Sequence, residues 1–369
     1  VVLLVCGSIF FTFWFRFINI RMFTHSLSVI RGKYDNPDDK GDISHFKALT
    51  SALSATVGLG NIAGVAIAIK LGGPGAVFWM TIAAVFGMSA KFCSCTLSQL
   101  YRQENADGSI SGGPMYYLDL GLKSKGLGPL GKVLGISYAV FIIFAAIGAG
   151  NMFQANQSFA AFYDSFLKDE KNYVVQVVSS EVAGDDAEKE TSILADVNGA
   201  LLGVFFADIS RGSIIHPGAE QDDVSRVRKV PNEKEKERKA LCAIIFGLVL
   251  AALVGLVILG GVKRIGAATE KIVPFMCGLY IIASLCVILN NFSEIPAGFA
   301  KIFGMAFSEN AMYGGFVGVL IQGLKRAAFS NEAGLGSASI MHAAAKTKEP
   351  VREGIVAMIG PFIDTIVIC

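Results

Sequence analysis

Charge is scarce in this chain. Asp, Glu, Lys and Arg make up 17% of its 369 residues, against 53% hydrophobic residues, and the mean hydropathy is +0.55. That composition is too apolar for an ordinary soluble enzyme. The formal net charge is only +2, too small a surplus to point to nucleic acid as partner. Histidine is scarcer still. His25, His45, His216 and His342 are scattered, and the sequence shows no Ser/His/Asp or Cys/His arrangement, no metal-ligand spacing and no phosphate-binding loop. An enzyme is therefore not expected, nor a cofactor. The seven cysteines (Cys6, Cys93, Cys95, Cys242, Cys277, Cys286 and Cys369) lie almost entirely in apolar runs. Cys93 and Cys95 point to different faces of a helix, which suits neither a metal nor a disulfide, so they read as small hydrophobes. An initiator Met is also missing. The sequence opens in one apolar run and closes in another, Ile363 to Cys369, so it reads as a fragment of a longer polytopic protein, truncated at both ends. Any cleavable signal peptide would belong to the missing start.

What the chain has instead is long apolar runs. Stretches able to cross about 30 Å of hydrocarbon fall at roughly 1–15, 47–70, 74–101, 130–163, 239–261, 266–291, 312–344 and 354–369. The expected fold class is thus an all-α polytopic membrane protein with eight spans, the first and last cut short. Lys and Arg set its orientation. Arg16, Arg21, Arg31, Lys33, Lys40 and Lys47 crowd the first connection. Lys123, Lys125 and Lys132 lie in the third, Lys263 and Arg264 in the fifth, and Lys346, Lys348 and Arg352 in the seventh. These alternate loops are predicted to be cytoplasmic, so the second span starts inside. Residues 164–238 interrupt the pattern with charge runs such as Gly184-Asp-Asp-Ala-Glu-Lys-Glu, and with short strand-like stretches at Tyr173-Val-Val-Gln-Val-Val and Ser213-Ile-Ile. Three regions follow: spans one to four in 1–163, a charged extramembrane insertion in 164–238, and spans five to eight in 239–369. The insertion is predicted to be a tolerated surface loop, with a partner-binding subdomain as the alternative. Its closing Lys/Glu run extends the next helix out of the membrane.

Two of the spans are written to break. Ala55-Thr-Val-Gly-Leu-Gly-Asn-Ile-Ala-Gly64 packs glycines around one asparagine inside an apolar segment, and each interior glycine costs a helix roughly 1 kcal/mol against alanine. Phe329-Ser-Asn-Glu-Ala-Gly-Leu-Gly336 repeats the logic in the 312–344 span. Unwound backbone at membrane depth survives where it is buried in protein or lines a polar cavity. Free carbonyls beside half-helix ends suit a small cation, and half-helix N-termini suit a carboxylate. The function expected from these residues is binding and moving a small solute, coupled to an ion. The broken spans are the second and the seventh, five apart, the separation that a five-plus-five inverted repeat requires.

Several ordered motifs then carry a specific resemblance. Thr56-Val-Gly-Leu-Gly-Asn-Ile-Ala-Gly-Val65, Gly72-Gly-Pro-Gly-Ala-Val-Phe-Trp79 and Ser111-Gly-Gly-Pro-Met-Tyr-Tyr117 resemble the alanine or glycine:cation symporter family. So do Gly150-Asn-Met-Phe-Gln-Ala-Asn156, Phe329-Ser-Asn-Glu-Ala-Gly-Leu-Gly-Ser337, His342-Ala-Ala-Ala and Phe362-Ile-Asp-Thr365. The set covers nearly the whole apolar part of the chain. The resemblance implies a LeuT-type fold, with a five-plus-five inverted repeat preceded by one extra helix. It also implies sodium-coupled symport of small neutral amino acids, alanine or glycine first, across a bacterial-type cell membrane. Sodium is then the coupling ion, and the partners are a small neutral amino acid and the lipid bilayer. The sequence does not speak to oligomeric state.

Carried over position by position, the unwound Val57 to Asn61 segment faces substrate and sodium. Thr56, Gly58, Leu59, Gly60, Gln154, Phe329 and Asn331 are expected at the substrate. The Asn61 side-chain oxygen, carbonyls near Thr56 and Val57, the Ser330 hydroxyl, and Asp364 or Thr365 are expected at sodium. Two positions depart from the family's pattern: Leu59 stands where many members carry Thr, and Ser94 where many carry Glu, which removes a partner from Lys91. Each site residue also has a plainer reading. Asn61 caps a half-helix, Gln154 glues helices together, and Arg326 and Glu332 form a structural pair or gate. His342 reads as a helix-end or gate residue. Phe78, Trp79, Tyr116 and Tyr117 read as interface anchors. Glycines 58, 60 and 64 predict close helix approach and a small substrate. Two rival functions remain open: a proton-coupled or facilitative transporter of the same fold, with Glu332 or Asp364 carrying protons, and a transporter-like amino-acid sensor.

Overall fold

The computed structural model describes residues 2–167, 173–178, 226–307, 320–321, 323–324 and 331–369. It divides into two units, one of residues 1–155 with 251–369 and one of residues 156–250.

The chain begins with helices α1 (Val2–Trp14), α2 (Ile18–Arg21) and α3 (Phe23–Ile30). Next come α4 (His45–Thr56) and α5 (Leu59–Gly72), which together make one apolar span bent by 62°. The long α6 (Gly75–Leu100) leads into a hairpin of β1 (Gln103–Glu104) and β2 (Ile110–Ser111), then α7 (Pro114–Lys123) and α8 (Gly128–Ala145). The α8 helix continues through a π-helical turn, Ala146–Met152, into α9 (Phe153–Phe162). Later come α10 (Glu233–Ile258), α11 (Gly261–Asn290), α12 (Ile295–Ala306), α13 (Ser337–Ala343) and α14 (Pro350–Ala357). After α14 the chain ends in a short turn, Ile359–Pro361, and a π-helical segment, Phe362–Ile368.

Among the described residues, four helical stretches are long and apolar enough to cross a bilayer: α6, Gly128–Leu167, α10 and α11. The bent α4–α5 pair makes a fifth. The structure departs from the eight predicted runs over 354–369, while the first run, predicted to be cut short, is a short helix. At 13 residues, α1 covers about 20 Å, short of a full crossing. The predicted 354–369 run begins at Pro350 and is divided into three pieces. Of the 312–344 run, residues 312–319, 322 and 325–330 lie outside the described residues; its last helix is α13.

The first unit is built around α6. Ala76, Met80, Ala84, Met88, Phe92 and Cys95 recur at helical spacing and are all buried. Against this stripe pack α1, α5, α12, α13 and α14. A Cβ on Gly75 would fall 2.5 Å from the Met305–Ala306 backbone, so only glycine lets α12 approach there. The Trp79 indole N–H donates to the Ala306 carbonyl (3.0 Å), and its ring meets Phe307 edge-on. Packing therefore places Trp79, read from sequence as an interface anchor, against a helix end. By contrast α10 and α11 expose Leu248, Leu256, Phe275, Leu279 and Ile282, apolar side chains of the kind a membrane-crossing helix carries.

In the second unit, β3 (Tyr173–Val178) pairs antiparallel with β4 (Arg226–Pro231), so the first strand-like stretch does form a strand. Ser213-Ile-Ile lies outside the described residues. The Lys/Glu run opens α10 from Glu233, as the sequence led us to expect. There the Tyr163 hydroxyl donates to Glu235 Oε1 (2.6 Å), and Arg238 donates to the Leu167 carbonyl (2.6 Å).

Candidate functional site

The first break lies where the sequence puts its glycines. Helix α4 stops at Thr56, Val57 turns extended (φ −77°, ψ 108°), and α5 starts at Leu59. Gly58 has φ 179°, extended backbone open to any residue. Nor is it tightly packed: a Cβ there would meet the Gln154 Oε1 at 3.7 Å, an ordinary contact. At this position the expected close helix approach is absent. Gly58 instead leaves its space facing the Gln154 side-chain amide.

Asn61 is fully buried one turn into α5. Its Oδ1 accepts from the Gly58 N–H (2.9 Å), closing the exposed start of the half-helix. Its Nδ2 donates to the Asp364 carboxylate Oδ1 (2.8 Å) and to the Asp364 backbone carbonyl (2.9 Å). A backbone donor on one side and two acceptors on the other fix the amide's orientation. Asn61 is therefore a cap in this structure, and its oxygen keeps one lone-pair direction for a further partner.

Asp364 is completely buried in the π-helical segment after α14. Its Oδ2 accepts from the Thr365 hydroxyl (3.0 Å). The Asn331 Nδ2 lies 3.5 Å from the same hydroxyl, at the limit of a hydrogen bond, and Asn331 Oδ1 accepts from the Ala333 N–H (3.0 Å). The buried Lys91 ammonium of α6 donates to the Asn331 backbone carbonyl (3.3 Å). Asn61, Asp364, Thr365, Asn331 and Lys91 thus link the first break, the end of the chain, the second break and α6. In low dielectric such a network is rigid only when its polar atoms are satisfied. It places two carboxylate oxygens, an amide oxygen and a hydroxyl close together, hard oxygen donors of the kind an alkali or alkaline-earth cation takes. Thr56, also buried, spends its hydroxyl on the Leu53 carbonyl (3.3 Å).

The second break is tighter. Glu332 (φ +50°), Gly334 (φ +90°) and Gly336 (φ +85°) all have left-handed backbone, and for glutamate that conformation is costly. The Ser337 hydroxyl, at the first residue of α13, donates to Glu332 Oε2. The predicted partner Arg326 lies outside the described residues, as do Phe329 and Ser330, so the pairing and the Ser330 ligand fall there too. The Leu59 side chain is likewise outside them. Ser94 shares a hydrogen bond with the Tyr117 hydroxyl (3.3 Å).

Sequence reasoning missed a second buried group. Glu353 of α14 holds His45 on one carboxylate oxygen and His342 on the other, each through Nδ1. All three side chains are at most 1% exposed. Two of the four histidines that looked scattered therefore meet on one carboxylate. No spacing signals it, because 308 positions separate His45 from Glu353.

The sequence pattern of the Sodium:alanine symporter family matches residues 1–184 and 219–369. The chain is 39% identical, over its whole length, to the sodium/alanine symporter AgcS of Methanococcus maripaludis, 65% of which it covers. It is 33% identical over its whole length to the probable sodium/glutamine symporter GlnT of Bacillus subtilis, covering 60% of that protein. Over 97% of its length it is 32% identical to the putative sodium/proton-dependent alanine carrier protein YrbD of Bacillus subtilis, covering 57%. The chain thus spans somewhat less than two thirds of each of these relatives.

Proposed function

Because the chain belongs to the Sodium:alanine symporter family, a family of transporters and not of enzymes, we propose that it is the greater part of a multi-pass symporter carrying small neutral amino acids, alanine or glycine first, into the cell with sodium. Its fold on this reading is the LeuT-type inverted repeat, with α4–α5 and the 312–344 segment as the paired broken helices. Residues 164–238 are an extramembrane insertion outside the transport machinery.

One observation carries the reading. The break between α4 and α5 brings Asn61 to within 2.8 Å of a wholly buried carboxylate, Asp364, whose neighbours reach the second break. A buried carboxylate is expensive unless neutralised, and a dehydrated sodium ion neutralises it. Asp364, Thr365 and the free lone pair of Asn61 supply oxygens, with carbonyls of Thr56 and Val57 and the Ser330 hydroxyl completing the set. The substrate then lies along Gly58, Leu59 and Gly60, with Gln154 facing its polar end and Phe329 and Asn331 opposite. Arg326 and Glu332 act as a gate rather than as ligands. Sodium that faces both Asp364 and the substrate carboxylate makes the two bind together, which is what symport requires.

The test is uptake of labelled alanine into proteoliposomes holding the full-length protein. Sodium replaced by choline should abolish it, whereas a proton gradient alone should not drive it. Glycine and serine should compete, and leucine and tryptophan should compete poorly. Uptake driven equally well without sodium would sink the proposal.

A further inference from the structure

The transport reading leaves the buried Glu353 group without a task. A carboxylate only accepts hydrogen bonds, so the Nδ1 of His45 and the Nδ1 of His342 each carry the proton that meets it. Among the described residues both buried Nε2 atoms have no hydrogen-bond partner, and His45 Nε2 stands 3.9 Å from Asp35 Oδ1. With two neutral rings the group is an anion shut away from water. One added proton makes it neutral, and a neutral group is far cheaper to bury than an ion.

Its position matters as much as its charge. His45 opens α4, the first half of the first broken helix; His342 lies in the last turn of α13; Glu353 belongs to α14. The same ends are joined through the backbone, where the Asp42 N–H donates to Ala344 (2.7 Å) and the Lys346 N–H to Ile43 (2.8 Å). The end of α13 is in turn bolted to α6. Gln99 donates to the carbonyls of Ala343 and Ala345, and Arg102 to those of Ala343, Ala345, Lys40 and Thr347. For α4 to part from α13, the His45–Glu353 or the Glu353–His342 contact has to break. The basic connections that flank these ends place them at the cytoplasmic face.

We propose that His45, Glu353 and His342 form a proton-binding site, filled by one proton from the cytoplasm, that holds the inner ends of the two broken helices together. Other charges face it from every packed element. Asp35 approaches from the connection after α3; Arg352 precedes Glu353 on α14, near His45; Arg102 and Cys95 lie within electrostatic reach on α6. Both terminal nitrogens of Arg102 donate to carbonyls, so its charge reaches Glu353 only through space. The proton is bound in the closed form and lost when the ends separate and hydrate. Raising cytoplasmic pH therefore favours opening inward, and lowering it favours closure.

The inference takes its transport readout from the proposed function, and the experiment separates the two. Full-length protein in proteoliposomes is assayed for sodium-driven alanine uptake while internal pH is stepped from about 6 to about 8, the range in which imidazoles titrate, at fixed external pH. Uptake should rise several-fold with internal pH and ignore the same step made outside. Glu353→Gln keeps the shape of the side chain without its charge; it should flatten the profile and leave the sodium dependence in place, while Glu353→Asp restores a slope. Sodium-driven uptake indifferent to internal pH overturns the proton site alone, as does an unchanged slope in Glu353→Gln. Absence of sodium-driven uptake at any pH sinks the transport reading. In that event, or if no variant inserts, nitrogen NMR of the wild-type protein decides. Two rings protonated at Nδ1 and sharing one titration support the site, and rings titrating independently overturn it.

Discussion

Among the described residues three carboxylates are completely buried, those of Glu235, Glu353 and Asp364, and the last two are treated in opposite ways. Asp364 sits at the breaks, among an amide, a hydroxyl and backbone carbonyls, with the Lys91 ammonium one residue further along the network. Glu353 sits at helix ends, between two imidazoles. Amide, hydroxyl and carbonyl oxygens do not take up a proton at ordinary pH, and on the proposed reading it is sodium that offsets the Asp364 charge. Imidazoles do take one up, and on the proposal above a proton shared with His45 and His342 offsets the Glu353 charge. On these two proposals one scaffold keeps two cation sites apart: the metal cation where the backbone is unwound and oxygen-rich, the proton where helix ends are tied.

The largest expected effect comes from removing the charge at the first of these sites. Asp364→Asn should cost sodium about 3 kcal/mol of binding, roughly a hundredfold in affinity, because a buried charged ligand becomes a neutral one. The readout is sodium activation of alanine uptake, with Glu353→Gln in parallel. If both variants shift sodium activation equally, the two carboxylates do not differ in role and the comparison fails.

Next in size is Asn61→Ala. The mutant leaves the Gly58 N–H and two Asp364 acceptors without the partner they have now, a loss of roughly 1–3 kcal/mol. Linkage requires that a residue serving the ion weaken sodium and alanine binding together. Alanine binding measured at several sodium concentrations separates the outcomes: a lowered affinity with wild-type sodium dependence leaves Asn61 as a cap only. Thr365→Val should act in the same direction but more mildly, by about 1 kcal/mol, since one neutral hydroxyl is lost.

Much of this was legible in the sequence, for reasons particular residues make plain. The break at Val57–Gly58 follows from glycines too dense for a continuous helix, and the start of α10 at Glu233 follows from its Lys/Glu spacing. Asp364 drew notice as an ionisable group in an apolar run. Its bond to Asn61 was not legible, because 303 positions separate the two and packing alone joins them. The His45–Glu353–His342 group was hidden for the same reason. Helix length was misjudged where hydropathy persists through a turn, as it does across the pieces of 350–368.

Gly58→Ala sharpens the comparison at the pocket rather than at the charges. The backbone there is extended, and the new methyl would lie 3.7 Å from Gln154, so folding should be untouched. The methyl fills space facing the Gln154 amide. Alanine should therefore lose affinity a few-fold while glycine keeps it, measured as competition for labelled uptake. Equal loss for both substrates would move the pocket away from Gly58.

The smallest effect is expected from the most highly charged part of the chain. On the proposals above Asp364 and Glu353 work because water is excluded from them, whereas the stretch between β3 and β4 carries mostly glutamates and aspartates in its sequence, Gly184-Asp-Asp-Ala-Glu-Lys-Glu among them. Replacing residues 179–225 with a short flexible loop keeps both strands, the Tyr163–Glu235 bond and the Arg238–Leu167 bond that hold the start of α10. Closing a shorter loop changes chain entropy by less than about 1 kcal/mol, which the folded protein absorbs. Sodium-driven alanine uptake per inserted molecule should match the wild type, and so should its response to internal pH. Lost uptake at normal membrane insertion would mean that the charges of residues 179–225 also serve transport, and the contrast between Asp364 and Glu353 on one side and the insertion on the other would no longer describe how this chain works.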